Sequence, residues 1–149
     1  MSVQEVAKGF AVTSGIHSAG KGTCAEETLE IGETVLNTET VTVDVKVYTF
    51  QTTLTNVDGN VLIGVDFAAS IANLAAAINL DVGAGTTYAA LTTLHPTVEA
   101  IPSGADMIAR AKDIGTLGNA IAIAETMSGV LNLWTAGAVF LSGGLNGQV

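Results

Sequence analysis

The sequence predicts an α+β domain, a mainly antiparallel β-sheet with one amphipathic helix packed on a face, preceded by an extended N-terminal arm. Three observations carry this expectation. Val41, Val43, Val45 and Val47 alternate with Thr42, Asp44, Lys46 and Tyr48, the period of a strand with one buried face. Phe67, Ile71, Leu74 and Ile78 recur at helical spacing among alanines. Beyond residue 100, short apolar runs are separated by Gly- and Asn-rich turns. At 149 residues the chain suits a single domain, residues 40–149, with residues 1–39 as the arm.

Taken in order, residues 1–39 mix Gly9, Gly15, Gly20, Gly22 and Gly32 with short apolar pairs and the acids Glu26, Glu27, Glu30 and Glu33. Glycine at this density raises the entropic cost of regular structure, which is why the segment reads as an extended arm. The strand from Thr40 is expected to run on through Phe50 and Thr52, with Asn56–Asn60 supplying turn chemistry before the apolar Val61, Leu62 and Ile63. Asp66 is the expected N-cap of a helix over Phe67–Leu80, ended by Asn79 and Gly83. Residues 88–103 carry Tyr88, Leu91 and Leu94 at helix-like spacing, but Pro96 and Pro102 limit any helix. Met107–Lys112 reads as a strand with Met107, Ala109 and Ala111 on one face, and Gly115–Asn119 as a turn. Ala120–Thr126 and Val130–Leu141 read as the last strands before a Gly-rich tail.

Composition narrows the partners. The chain is 48% hydrophobic and only 13% charged, so much of its surface is uncharged. Fourteen acids against five bases give a net charge of −9, which opposes the phosphate neutralisation that drives binding to nucleic acid or to an anionic membrane; neither is an expected partner. Apolar residues are broken by Gly, Asp and Thr, so no run approaches the roughly 18 residues of a membrane span, and no signal peptide is expected in Met1–Gly22. The single cysteine, Cys24, forms no intrachain disulfide, compatible with assembly in a reducing cytoplasm.

Chemical motifs are sparse. Gly15-Ile16-His17-Ser18-Ala19-Gly20-Lys21-Gly22-Thr23 fits the first part of a phosphate-binding loop but has Gly22 where Ser or Thr should hold magnesium. Phosphoryl transfer needs several cations, and this chain offers one arginine, Arg110, beside four lysines. A nucleotide-binding enzyme acting through Lys21 is therefore the minor alternative. His17, His95 and Cys24 share none of the spacings of a zinc site, and the Glu26–Glu33 acids lack the alternating ligands of a calcium loop, so no metal or cofactor is expected. Ser14 and Ser18 beside His17 lack the held geometry that activates a hydroxyl. One Trp and two Tyr leave few platforms for a sugar-binding adhesin.

What the residues offer instead is contact surface. In the arm, Phe10, Val12, Ile16, Leu29 and Ile31 are apolar in surroundings that do not pack them alone, and such a segment can bury itself on a neighbouring subunit, in some cases as an added strand. Trp134, with Phe140 and Leu141, is either core or a docking patch.

Tyr48-Thr49-Phe50-Gln51-Thr52-Thr53-Leu54-Thr55, Val61-Leu62-Ile63-Gly64, Ala68–Asn79, Gly83–Tyr88, His95-Pro96 and Gly115–Ala122, in this order and spacing, resemble a domain recurrent in virion proteins of tailed bacteriophages. The resemblance spans about Thr40–Thr126; it departs from the usual pattern at Asp113-Ile114 and does not include the arm. It implies a structural role in the virion, assembled in the host cytoplasm, and supplies no catalytic residues. Because the unit occurs both in small capsid-associated proteins and in tail components, two roles are expected. The leading one is a capsid decoration or cement protein, with the major capsid protein and copies of itself as partners; the alternative is a tail, collar or fibre-attachment component contacting other tail proteins.

Overall fold

The computed structural model describes residues 20–148. The chain order is β1 (Cys24–Ile31), β2 (Thr40–Val43), β3 (Lys46–Gln51), β4 (Asn60–Leu62), α1 (Phe67–Asn79), β5 (Val98–Ser103), β6 (Asp106–Ile114), β7 (Ile123–Glu125) and β8 (Asn132–Trp134). The strands make two four-stranded sheets, β5-β6-β1-β8 and β4-β3-β2-β7, antiparallel throughout except for β3 and β4. The α+β expectation holds, with two sheets where the sequence suggested one. Both sheets and α1 share one hydrophobic core, which contains Leu29, Val41, Phe50, Ile71, Met107 and Trp134.

The arm boundary at residue 39 is corrected by β1, which is an interior strand of the first sheet. It pairs with β6 on one side and, through Leu29, Glu30 and Ile31, with β8 on the other. Ala25, Leu29 and Ile31 point into the core while Glu26 and Glu30 face outward, the alternation of a half-buried strand. Its partners lie some eighty to a hundred residues downstream, so the pairing is non-local.

The alternating run from Thr40 is not one strand but a hairpin. The chain reverses at Asp44-Val45, where Asp44 takes φ 55° at the first position of a two-residue loop, a left-handed conformation that Asp tolerates. The reversal shifts the inward set from the odd residues Val41 and Val43 to the even residues Tyr48 and Phe50, and Val45 is left 87% exposed. Between β3 and β4 the Asn56–Asn60 turn forms as expected. Gly59, at φ 82°, lets its backbone approach Val47; a Cβ there would lie 2.2 Å from the Val47 carbonyl oxygen.

Asp66 caps α1, its carboxylate accepting the Ala69 N–H at 2.7 Å. Ile71, Leu74 and Ile78 are buried as the spacing requires, while Phe67 at the first turn is partly exposed. No helix among the described residues is long and apolar enough to cross a membrane. In the next hairpin, β6 buries Met107, Ala109 and Ala111, the face read from the sequence, and β5 occupies Val98–Ser103, where the sequence was ambiguous. Val130–Leu141 is not one strand. After β8, Ala136 (φ 54°) and Gly137 (φ 69°) adopt left-handed conformations that break it.

His95 fastens the elements together. It is wholly buried, and its Nδ1 accepts the N–H groups of Thr97 at 3.3 Å and Val98 at 3.1 Å. Nε2 must then carry the proton, which it donates to the Val43 carbonyl at 3.0 Å. The His95 N–H donates to Ile78 O at the end of α1, and Lys112 Nζ of β6 donates to the His95 carbonyl. Burial pushes the His95 pKa below its ordinary value; Lys46 and Lys112 act in the same direction, while the Val43 bond and Asp44 oppose it. Glu39 is a second buried link. Burial favours its neutral form, but donation from Leu36 N–H, Ser128 Oγ–H and Ser128 N–H outweighs this and holds its pKa below the usual value.

Two outcomes are expected. Leu29→Ala should destabilise the fold by about 2–5 kcal/mol in urea unfolding, as for a core leucine, whereas a change of a few tenths would return β1 to the status of an arm. Because the native state takes up the His95 proton less readily than the unfolded state, stability is full above about pH 6.5 and is lost as pH falls below it, with a slope of at most about 1.4 kcal/mol per pH unit. Urea midpoints between pH 7.5 and 5 check this, and His95→Gln should lower stability at pH 7.5 while flattening the slope.

Candidate interaction surface

The residues singled out in the sequence separate into two groups. Leu29, Ile31 and Trp134 are at most 2% exposed and belong to this chain's own core, so their side chains are not free surface. Phe10, Val12 and Ile16 lie outside the described residues. Phe140 and Leu141, read together, diverge: Leu141 is buried and Phe140 is half exposed.

The surface that can pair with another chain follows from what each sheet edge offers. β5 is closed by side chains: Asn79, the last residue of α1, accepts the Ala100 N–H and donates to the Ala100 carbonyl, both at 2.8 Å. His95 takes the Val98 N–H, and Pro102 has none to give. β4 is covered by the following loop, with Leu62 N–H donating to Thr87 O and Ala89 N–H to Asn60 O. Asn73 also donates to the Leu62 carbonyl.

The other two edges face each other. β7 is flanked over its first residue by the returning chain, since Ile123 N–H donates to Val139 O at 2.9 Å and Leu141 N–H to Ile121 O at 3.0 Å. Further along, the register turns the N–H and C=O of Glu125 away from β2, and the register of β8 turns those of Trp134 away from β1. Among the described residues these groups meet no hydrogen-bond partner. Between the two edges lies a cleft of about 220 Å3, lined by Ile123, Ala124 and Glu125 of β7, Leu133 and Trp134 of β8, and Gly137, Ala138 and Val139 of the link beyond. Its lining is apolar apart from Glu125, whose carboxylate accepts the Met127 N–H. The indole Nε1 of Trp134 is buried with no partner among the described residues. Val139 on the cleft wall and its neighbour Phe140 are exposed, as are Val130 and Leu131 just before β8. The sequence signal for this site was the Val130–Leu141 run itself; what it lacked was the left-handed pair at Ala136 and Gly137 that folds the run into a wall.

Comparison with known proteins gives no match: no protein-family model, no curated protein and no solved structure matches the chain.

Several charged and titratable groups among the described residues are engaged in structural contacts. Both ring nitrogens of His95 are committed to backbone partners. Lys46 donates to Thr93 O and pairs with Asp58 at 2.8 Å, and Arg110 pairs with Glu26 at 3.0 Å. Lys21 and Gly22 lead into the extended strand β1 and not into a helix, so the helix N-terminus that a phosphate loop requires is missing after them. Among the described residues no group of three or more His, Cys, Asp and Glu is placed to hold a metal ion. What the arrangement can do chemically is recognise an extended apolar segment, through backbone groups at two strand edges and an apolar hole between them.

Proposed function

We propose that this protein is a structural component of a tailed-bacteriophage virion, in the leading reading a capsid decoration or cement protein that bridges neighbouring shell subunits. The observation that carries the reading is the ordered resemblance over Thr40–Thr126. The character of the surface supports it. Only 13% of the residues are charged, so a face of this protein that meets another protein, bearing exposed side chains such as Val65, Val82, Leu117 and Val130, has few ions to desolvate. A decoration protein acts by mass action: binding only the assembled shell, each copy stabilises it by a modest increment, and an interface of about 1,000 Å2 or more suffices for a specific contact. No step in this function needs a cofactor or an activated nucleophile.

The experiment is the copy number of this protein relative to the major capsid protein in purified virions, by quantitative mass spectrometry. A ratio near one, or a simple lattice fraction, is the expected result. A few copies per particle would instead assign it to the tail, collar or fibre attachment, and absence from the particle would overturn the virion reading.

A further inference from the structure

We propose that the cleft between β7 and β8 is the acceptor for residues Phe10–Ile16 of a second copy of this chain. The proposal concerns contacts between copies and stands apart from the virion reading.

The cleft has the chemistry of a strand acceptor. Glu125 and Trp134 each present one outward N–H and C=O pair on its two sides, open among the described residues, and unpaired strand-edge groups of this kind are a ready template for pairing with another strand. The other two edges are closed, by Asn79, His95 and Pro102 at β5 and by the 87–89 loop at β4. Between these groups, Leu133, Ala138 and Val139 offer an apolar hole to a side chain, with Trp134 at its lining. Phe10-Ala11-Val12-Thr13-Ser14-Gly15-Ile16 supplies the complement: three large apolar side chains and no charge, so no ion need be desolvated against Glu125.

Chain reach decides whose segment it is. Trp134 stands beside Leu29 in the register of β1, and Gly20 lies nine residues before Leu29 along an extended path, about 30 Å away. The chain before Gly20 leaves from the end of β1 remote from the cleft, where Gly20 O accepts the Gln148 N–H and Thr23 pairs with Leu145. To return, it would have to double back along the whole strand. At about 3.6 Å per residue at most, Ile16 extends some 14 Å from Gly20 and falls well short of the cleft of its own chain, while Val12, at some 29 Å, comes to its edge only when fully extended. Phe10 reaches about 36 Å only when fully extended. Residues 10–16 can fill the cleft as a unit only in another copy. Each contact joins an arm to a cleft, so two copies that exchange arms close a dimer, and a one-way arrangement builds larger rings or open arrays according to whether its rotation closes.

The test uses the full chain and reads its mass in solution by light scattering. The wild type is expected at roughly twice the single-chain mass or more, and the double variant Phe10→Asp, Val12→Asp and the separate variant Val139→Asp are each expected at the single-chain mass. Val139 is exposed, and an unchanged melting temperature shows that loss of association is not loss of fold. In a Cys24→Ser background, chains carrying Phe10→Cys mixed with chains carrying Val139→Cys should form an interchain disulfide dimer. A wild type at single-chain mass, association undiminished in either Asp variant, or no interchain disulfide between the Phe10→Cys and Val139→Cys chains would each overturn the proposal.

Discussion

The alignment of the two sheets depends on a neutral imidazole held where no water reaches it. His95 can accept two backbone N–H groups at Nδ1 and donate one bond from Nε2 only in its uncharged form, and those bonds run to different elements: β2 on one sheet, the start of β5 on the other. Its own backbone adds α1 and β6. A charged ring would present a donor to two donors in a region that already holds the ammonium groups of Lys46 and Lys112. The rest of the architecture follows from this joint. With the helix and both sheets fixed about it, the hydrophobic faces meet in one core, and the remaining sheet edges are left at the opposite side of β1 and β2, where β7 and β8 run.

The parts of the fold written in local chemistry were legible. Asp66 before an alanine-rich run with Ile71, Leu74 and Ile78 specified α1 and its cap, and Met107, Ala109 and Ala111 specified the inward face of β6. The misreadings have physical causes. Valine at every second position carried the alternation straight across Asp44-Val45, so the reversal there left no break in the pattern; only the later burial of Tyr48 and Phe50 records the change of parity. In β1 the inward set Ala25, Leu29 and Ile31 was present but diluted by the surrounding glycines and by Glu27 between them, and its stability comes from strands far away in sequence. For the same reason Leu29, Ile31 and Trp134 read as surface or as undecided. Whether an apolar side chain is covered depends on partners that pattern alone does not place.

The cleft was the least legible feature because it is made of backbone. Neither Glu125 nor Trp134 announces an open N–H and C=O; those follow from which residues of a short strand face its partner, a matter of register. The acidic character of the chain matters here too. With net charge −9, encounters between copies are opposed at long range, so a contact between them has to be short-ranged and apolar, and a segment without charge is the part of the sequence suited to make it.

The closure of β5 has a consequence for the lifetime of the protein. The Asn79 carboxamide offers one donor and one acceptor to Ala100, the same pair a neighbouring residue of a strand would offer, so the sheet ends on a strand one side chain long. Hydrolysis of that amide to a carboxylate keeps the acceptor, removes the donor and sets a negative charge against the Ala100 carbonyl. A slow chemical change, invisible to the rest of the fold, would thus turn a finished margin into an unfinished one. Of the three closures of that edge, beside His95 and Pro102, Asn79 is the one that ages through a covalent change at a single nitrogen.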